Sequence, residues 1–164
     1  VLIGQYGLTP RQYGLAFAAN AASFIGVSQL TGRLTHRHGL RRVVSVAVAG
    51  FALAMAAGAA LHVAGATQLA TLLAMLMIGF GFLGLVIPTT SVMALDHHGD
   101  IAGAASALMG TIQMVAGAAV IALMGLVSDG SARPMLLGIA VVAALTWALA
   151  WLSLRGEPPA PAAR

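Results

Sequence analysis

Charged residues divide this chain into long apolar intervals. No Asp, Glu, Lys or Arg occurs from Gln12 to Gly32, from Val43 to Leu95, from Ile101 to Ser128 or from Pro134 to Leu154. Each interval reaches the ~20 residues that an α-helix needs to cross a ~30 Å hydrocarbon core. The interval from Val43 to Leu95 is long enough for two helices. Its natural break runs from His62 to Gln68, where Gly65 and the side chains of His62, Thr67 and Gln68 interrupt the apolar run. The pattern predicts five complete spans, at about 10–34, 42–62, 68–95, 101–127 and 134–154. Thr9 followed by Pro10 signals the start of the first: a threonine hydroxyl can cap a free amide, and proline, lacking one, fits the first helical position. Val1 to Thr9 reads as the end of an earlier apolar segment followed by a short loop, so the end of a sixth span is expected there. No basic stretch and cleavage site of the signal-peptide kind is present.

Composition turns this pattern into a fold class. Hydrophobic residues make up 60% of the chain and charged residues only 7%, too few charges to clothe a water-soluble surface. The expected fold is all-α, a polytopic transmembrane helix bundle over residues 1–155, with lipid as its main partner. Residues 156–164, which carry three prolines, are expected to form a disordered cytoplasmic tail. The basic charge comes from eight arginines, since there is no lysine. Alternate loops place Arg33, Arg37, Arg41, Arg42, Arg155 and Arg164 on one side and Arg11 and Arg133 on the other. Cytoplasmic loops collect basic residues, so the reading is a multi-pass protein of the cell inner membrane with its C-terminus in the cytoplasm. No continuous basic stripe with stacking aromatics exists, which excludes nucleic acid as a partner. The absence of cysteine removes disulfides and thiolate chemistry.

Small residues recur every four positions, as Gly14, Ala18, Ala22 and Gly26 in the first span and Gly50, Ala54 and Gly58 in the second. Such stripes let helix backbones approach closely in lipid. The opposite face of the first span carries Phe17, Asn20 and Phe24. The fourth aligns Gly103, Ser106, Gly110, Gln113 and Gly117. Amides are costly to leave against lipid, so Asn20 and Gln113 are expected to point into the bundle or a cavity. Interhelical hydrogen bonding without further function would place them equally well. In the third span Pro88 lacks an amide proton, and its ring presses on the carbonyl of Gly84, which predicts a kink. Thr89, Thr90 and Ser91 can bond carbonyls near the break, while Gly79, Gly81 and Gly84 loosen the turns before it. Bent helices near the midplane hold substrate in transporters, although many such prolines are structural.

Other motifs fail on context. Gly79, Gly81 and Gly84 fit G-x-G-x-x-G, but inside a membrane span rather than between a strand and a helix. No P-loop is possible without lysine, and no nucleophile, base or paired-acid set lies within the spans, so no catalytic residue and no cofactor is assigned. His36, His38, His97 and His98, with Asp96 and Asp100 nearby, read as solvated loop residues, not metal ligands. The two acids are placed to pair with arginines of the preceding cytoplasmic loop.

That loop carries the most specific pattern. Gly32-Arg-Leu-Thr-His36-Arg37-His-Gly39-Leu40-Arg41-Arg42 resembles the cytoplasmic loop signature of the major facilitator superfamily: a Gly, an acid four positions later, a basic residue, then Gly and two basic residues. Gly32, Arg37, Gly39, Arg41 and Arg42 match. His36 replaces the acid, and Leu40 is inserted before the Arg pair. The segments from Gly7 to Asn20 and from Ser28 to Leu30 look like the eighth helix of the bicyclomycin-resistance (Bcr/CflA) branch of drug:proton antiporters. Gly81 to Pro88 and Gly103 to Gln113 look like its tenth and eleventh. The resemblance implies the C-terminal half of an efflux antiporter whose N-terminal half is a missing partner. Its substrates would be drug-like small molecules exchanged for protons, with Phe17, Asn20, Phe24, Met109 and Gln113 supplying one wall of the cavity. No span contains an acid, so the proton carrier is expected in the other half. A structural or assembly subunit of a membrane complex is the rival reading.

Overall fold

The computed structural model describes residues 7–65, 68–96, 99–127 and 132–155. Its first helix, α1 (Pro10–Ser28), begins with a reciprocal cap: the Thr9 hydroxyl accepts from the Gln12 amide at 3.3 Å and the Thr9 amide donates to Gln12 Oε1 at 2.9 Å. The remaining helices are α2 (Thr31–His38), α3 (Leu40–Val63), α4 (Leu69–Leu95), α5 (Ala102–Val127) and α6 (Ala132–Arg155), with a single 3₁₀ turn at Gly99–Ile101 before α5. There is no strand among the described residues. The fold is therefore the all-α helix bundle that the hydropathy pattern predicts.

Two features of the amino-terminal region differ from the sequence expectation. The first helix does not reach residue 34. The Ser28 hydroxyl donates to the Ile25 carbonyl at 2.8 Å, the same carbonyl that receives the Gln29 amide, and the Leu30 amide turns back to Val27. Competition of this kind bends or ends helices, and α2 starts afresh at Thr31. Secondly, four helices rather than five are long and apolar enough to cross a membrane among the described residues: α3, α4, α5 and α6. These have 24 to 27 residues, or about 36–40 Å of helix. The fifth, α1, is diluted by Arg11, Gln12 and Asn20.

The core is a stack of three layers through α3, α4 and α6. At the arginine-bearing end Val44, Ala47 and Val48 of α3 bury against Val86 of α4, with Ala150 and Leu154 of α6 closing the layer. In the middle Phe51 and Met55 meet Ala143 and Phe82. At the far end Leu72 of α4 packs on Leu136 of α6. This register makes α3 antiparallel to α4 and α6. The stripe Gly50, Ala54 and Gly58 faces α4, where the Phe82 ring lies over Gly50 and the Met75 side chain runs 3.5 Å from where a Gly58 Cβ would be. Missing Cβ atoms thus let two long helices close over large side chains.

The other predicted stripe is not a packing face among the described residues. Ala18 and Ala22 are exposed, and a Cβ built on Gly14 or Gly26 would meet no atom within 4 Å. Instead α1 packs on α4 through its polar side. The run of small residues in α5 is likewise open: none of that helix's apolar window is buried. Its clear anchor is the Met124 sulfur over Gly138 of α6.

Candidate functional site

The seam between α1 and α4 carries a polar bridge within the membrane region. Ser23 Oγ crosses it, donating to the Met77 carbonyl at 2.8 Å. Gly81 lies opposite Ser23 and Val27, and Gly84 lies directly under the Phe24 carbonyl, 3.2 Å from the Ser28 amide as measured from an added Cβ. These pairs run in the same direction along both helices, so α1 and α4 are parallel. The glycines expected to loosen α4 act differently. Gly81 and Gly84 receive α1, whereas Gly79, on another side, receives Met55 and Phe51 of α3. A G-x-G-x-x-G pattern here serves two helix contacts at once.

Asn20 sits in α1 one turn before Ser23 and is only 8% exposed. Its Nδ2 donates to the Ala16 carbonyl at 3.0 Å, but its buried Oδ1 has no hydrogen-bond partner. A buried acceptor left unmade costs about 1–3 kcal/mol.

Helix α4 continues through Pro88 without interruption. The three residues after the proline turn their hydroxyls back on the helix: Thr89 to Leu85 at 2.6 Å, Thr90 to Val86 at 2.7 Å and Ser91 to Ile87 at 2.8 Å. These carbonyls follow that of Gly84, which faces the proline nitrogen. The polar groups near the proline are thereby absorbed within the helix, and Thr89 is fully buried. Each hydroxyl proton is committed to the helix, so toward a ligand these groups could act only as acceptors.

The five candidate wall residues fall into two groups. Asn20 is buried and Phe24 half-buried on α1, while Phe17 is 64% exposed. Met109 is half-buried and Gln113 exposed on α5, where with Leu95, Ile101, Ala105 and Leu108 they line an apolar groove of 520 Å³. Gln113 therefore does not point into the packed bundle; it opens on the groove between α5 and the end of α4. Among the described residues no extended packing joins α1 to α5, and the two groups do not share the groove beside α5.

The arginine-bearing end is built by α2 and the first turns of α3. Gly39 ends α2 with φ +82°, a conformation that favours glycine, and sets the sharp turn into α3. Arg33, His36, Arg37 and His38 are exposed on α2, with Arg42 exposed and Arg41 half-buried beyond the turn. Asp96 and Asp100 lie exposed at the same end, where α4 finishes. His97 and His98 lie outside the described residues, as do the segments 1–6, 128–131 and 156–164. Among the described residues no group of three or more His, Asp or Glu is arranged to hold a metal ion.

Two features escaped the sequence reading. Ser23, three positions after Asn20 on the same face, makes the cross-helix bond to α4, and that spacing was the available signal. Trp147 and Trp151 come together with Arg41, which no local pattern shows because the groups lie on different helices.

The profile of the Major Facilitator Superfamily matches residues 1–164. The chain is also 28% identical over 155 residues to a Bacillus subtilis (strain 168) protein described as "Uncharacterized MFS-type transporter YdgK", across 93% of this chain and 37% of that protein. It thus spans little more than a third of the relative's length. No solved structure matches.

Proposed function

The chain belongs to the Major Facilitator Superfamily, and from that premise we propose that it forms part of a proton-coupled efflux antiporter for drug-like small molecules. The family is one of multi-pass membrane transporters, which accounts for the four membrane-length helices. The finer reading is supported chiefly by Asn20, whose buried Oδ1 lacks a partner. In this reading the Asn20 side chain, closed off in the present arrangement, turns outward during alternating access and offers its Oδ1 to substrate. Phe17, Phe24, Met109 and Gln113 add the apolar and amide surface suited to loosely specified amphiphiles. The substrate path lies between this chain and a second half, which would bring the α1 and α5 groups together and supply the proton carrier. Alternating access then comes from rocking of one half against the other. The protein sits in the inner membrane, with the arginine-bearing end and the C-terminus in the cytoplasm.

The test is transport by the intact protein that contains this chain. Reconstituted in liposomes loaded with a lipophilic cationic dye such as ethidium, it is expected to release dye faster when protons can flow in the opposite direction. A protonophore should return release to the background rate. The 164-residue chain alone is expected to give only that background. Gradient-independent release by the intact protein would sink the antiport reading, and proton-coupled release by the chain alone would sink the assignment of the proton carrier.

A further inference from the structure

Arg41 and Arg42 are consecutive on α3 and border different grooves. Arg41 lies in a cleft against Trp147 and Trp151 of α6 and is already engaged within the chain. Arg42 is exposed on another side, where with His38 it heads a groove of 240 Å³ between α2, α3 and α4. Leu34, Val43, Val46 and Leu85 complete its lining, and among the described residues no acid lines it. Asp96 and Asp100 lie at the same end of the bundle but outside this set.

We propose that the groove headed by Arg42 and His38 binds an anionic phospholipid, with the headgroup phosphate at these two side chains and an acyl chain running along α3. Three observations converge. First, the two basic groups come from opposite sides of the Gly39 turn and share one groove. A guanidinium presents a fork of donors that matches phosphate oxygens, and an imidazole can donate a further bond. Secondly, the lining becomes apolar toward the membrane. Val46 stands one turn further along α3 than Arg42, on the same face, and Leu85 packs on the layer of Val44, Ala47, Val48 and Val86. Both therefore lie inward of the two basic residues. Thirdly, the apolar surface continues beyond the groove. Arg42, Val46, Ala49 and Leu53 follow one another at helical spacing on one face of α3, a track of about 16 Å, with Val46 60% and Leu53 71% exposed. A free phosphate would use only the basic end, and an acidic peptide would leave the track beyond it uncovered. A phospholipid, charged at one end and hydrocarbon beyond, matches both. The inference rests on the membrane placement of α3 and not on the identity of any transported solute, so it stands or falls separately from the efflux reading.

The experiment reconstitutes the intact protein that contains this chain in phosphatidylcholine vesicles. A small mole fraction of phosphatidylglycerol or phosphatidylcholine is added, each with a photoreactive diazirine near the headgroup end of an acyl chain. After illumination, peptide mass mapping locates the adducts. They are expected at Leu34, Val46 and Leu85, with a yield from phosphatidylglycerol about fivefold that from phosphatidylcholine. Arg42→Gln should make the two yields equal. Arg42→Lys, which keeps the charge and loses the fork, should retain part of the excess and controls for loss of fold in the glutamine variant. Arg33→Gln, exposed on α2 outside the groove, should leave the excess unchanged. Inorganic phosphate in large excess should not lower the yield. Equal yields from both lipids in the unaltered protein would overturn the proposal, as would an excess that survives Arg42→Gln. Absence of adducts from the groove would overturn it as well, showing that another segment of the protein covers this face. So would suppression by inorganic phosphate, which would mark a soluble-anion site in which the acyl chain plays no part.

Discussion

Gly84→Val is expected to detach α1 from α4 and to lower the stability of the chain more than any other single glycine substitution in the bundle. The reason lies in what a new side chain would meet. At Gly84 a Cβ runs into the Phe24 carbonyl oxygen and close to the Ser28 amide, both backbone atoms. Backbone cannot rotate aside, so the helices must separate, and Ser23 then loses its 2.8 Å bond to the Met77 carbonyl. Overpacking of this kind costs about 3 kcal/mol. Gly50→Ala provides the contrast, because its Cβ would meet the Phe82 ring, a side chain that can swing away. Gly26→Ala should be neutral or gain up to about 1 kcal/mol of helix propensity, since nothing lies within 4 Å of that position. Thermal unfolding of the detergent-solubilised chain ranks the three. An equal loss at Gly84 and Gly26 would contradict the parallel α1 and α4 seam.

The second large effect is expected at Asn20, and its two readouts should move in opposite directions. Asn20→Leu removes a buried acceptor that has no partner and gives up only a bond to the Ala16 carbonyl within the same helix. The stability of the chain should hold or rise, because deleting an unsatisfied polar group removes a desolvation cost. Export by the intact transporter should fall about tenfold, the equivalent of one hydrogen bond to substrate left unmade. Were Asn20 an interhelical fastener, the pattern would invert, with stability lost and transport per folded molecule unchanged. Measuring melting temperature and dye release on the same preparation separates the two.

These residues also show what the sequence made legible. The membrane helices announce themselves because a charge in hydrocarbon is costly, so intervals free of Arg, Asp and Glu map directly onto α3 to α6. Thr9 and Pro10 started α1 correctly because capping is local chemistry. The end of α1 was hidden: the competing hydroxyl of Ser28 sits among Val27, Gln29 and Leu30, with no proline or glycine to mark the break. Face assignments were half legible. Periodicity groups Gly14, Ala18, Ala22 and Gly26 on one side of a helix, yet it cannot say what covers that side, and none of the described residues does. The same holds for Gln113. Its cost against lipid predicts a place in the bundle or a cavity without saying which, and in this chain it borders the groove beside α5 and the end of α4. At the α1 and α4 seam the signal was present but misread, for Gly81 and Gly84 serve close approach rather than loosening. The cleft around Arg41 was illegible, since its residues are about a hundred positions apart in sequence and meet only when α6 returns along α3.

In the proposed transporter α1 and α5 contribute one wall of a substrate path. The chain has no cysteine, so single replacements at Phe17, Phe24, Met109 and Gln113 can be followed in the intact transporter after removal of any cysteines elsewhere. The most direct measurement is the rate of alkylation of each by a small maleimide, with and without the transported dye. Dye is expected to slow the reaction at positions on both helices, while a cysteine at Leu53, on the exposed face of α3, reacts at the same rate in either condition. Equal rates with and without dye at all four wall positions would contradict it.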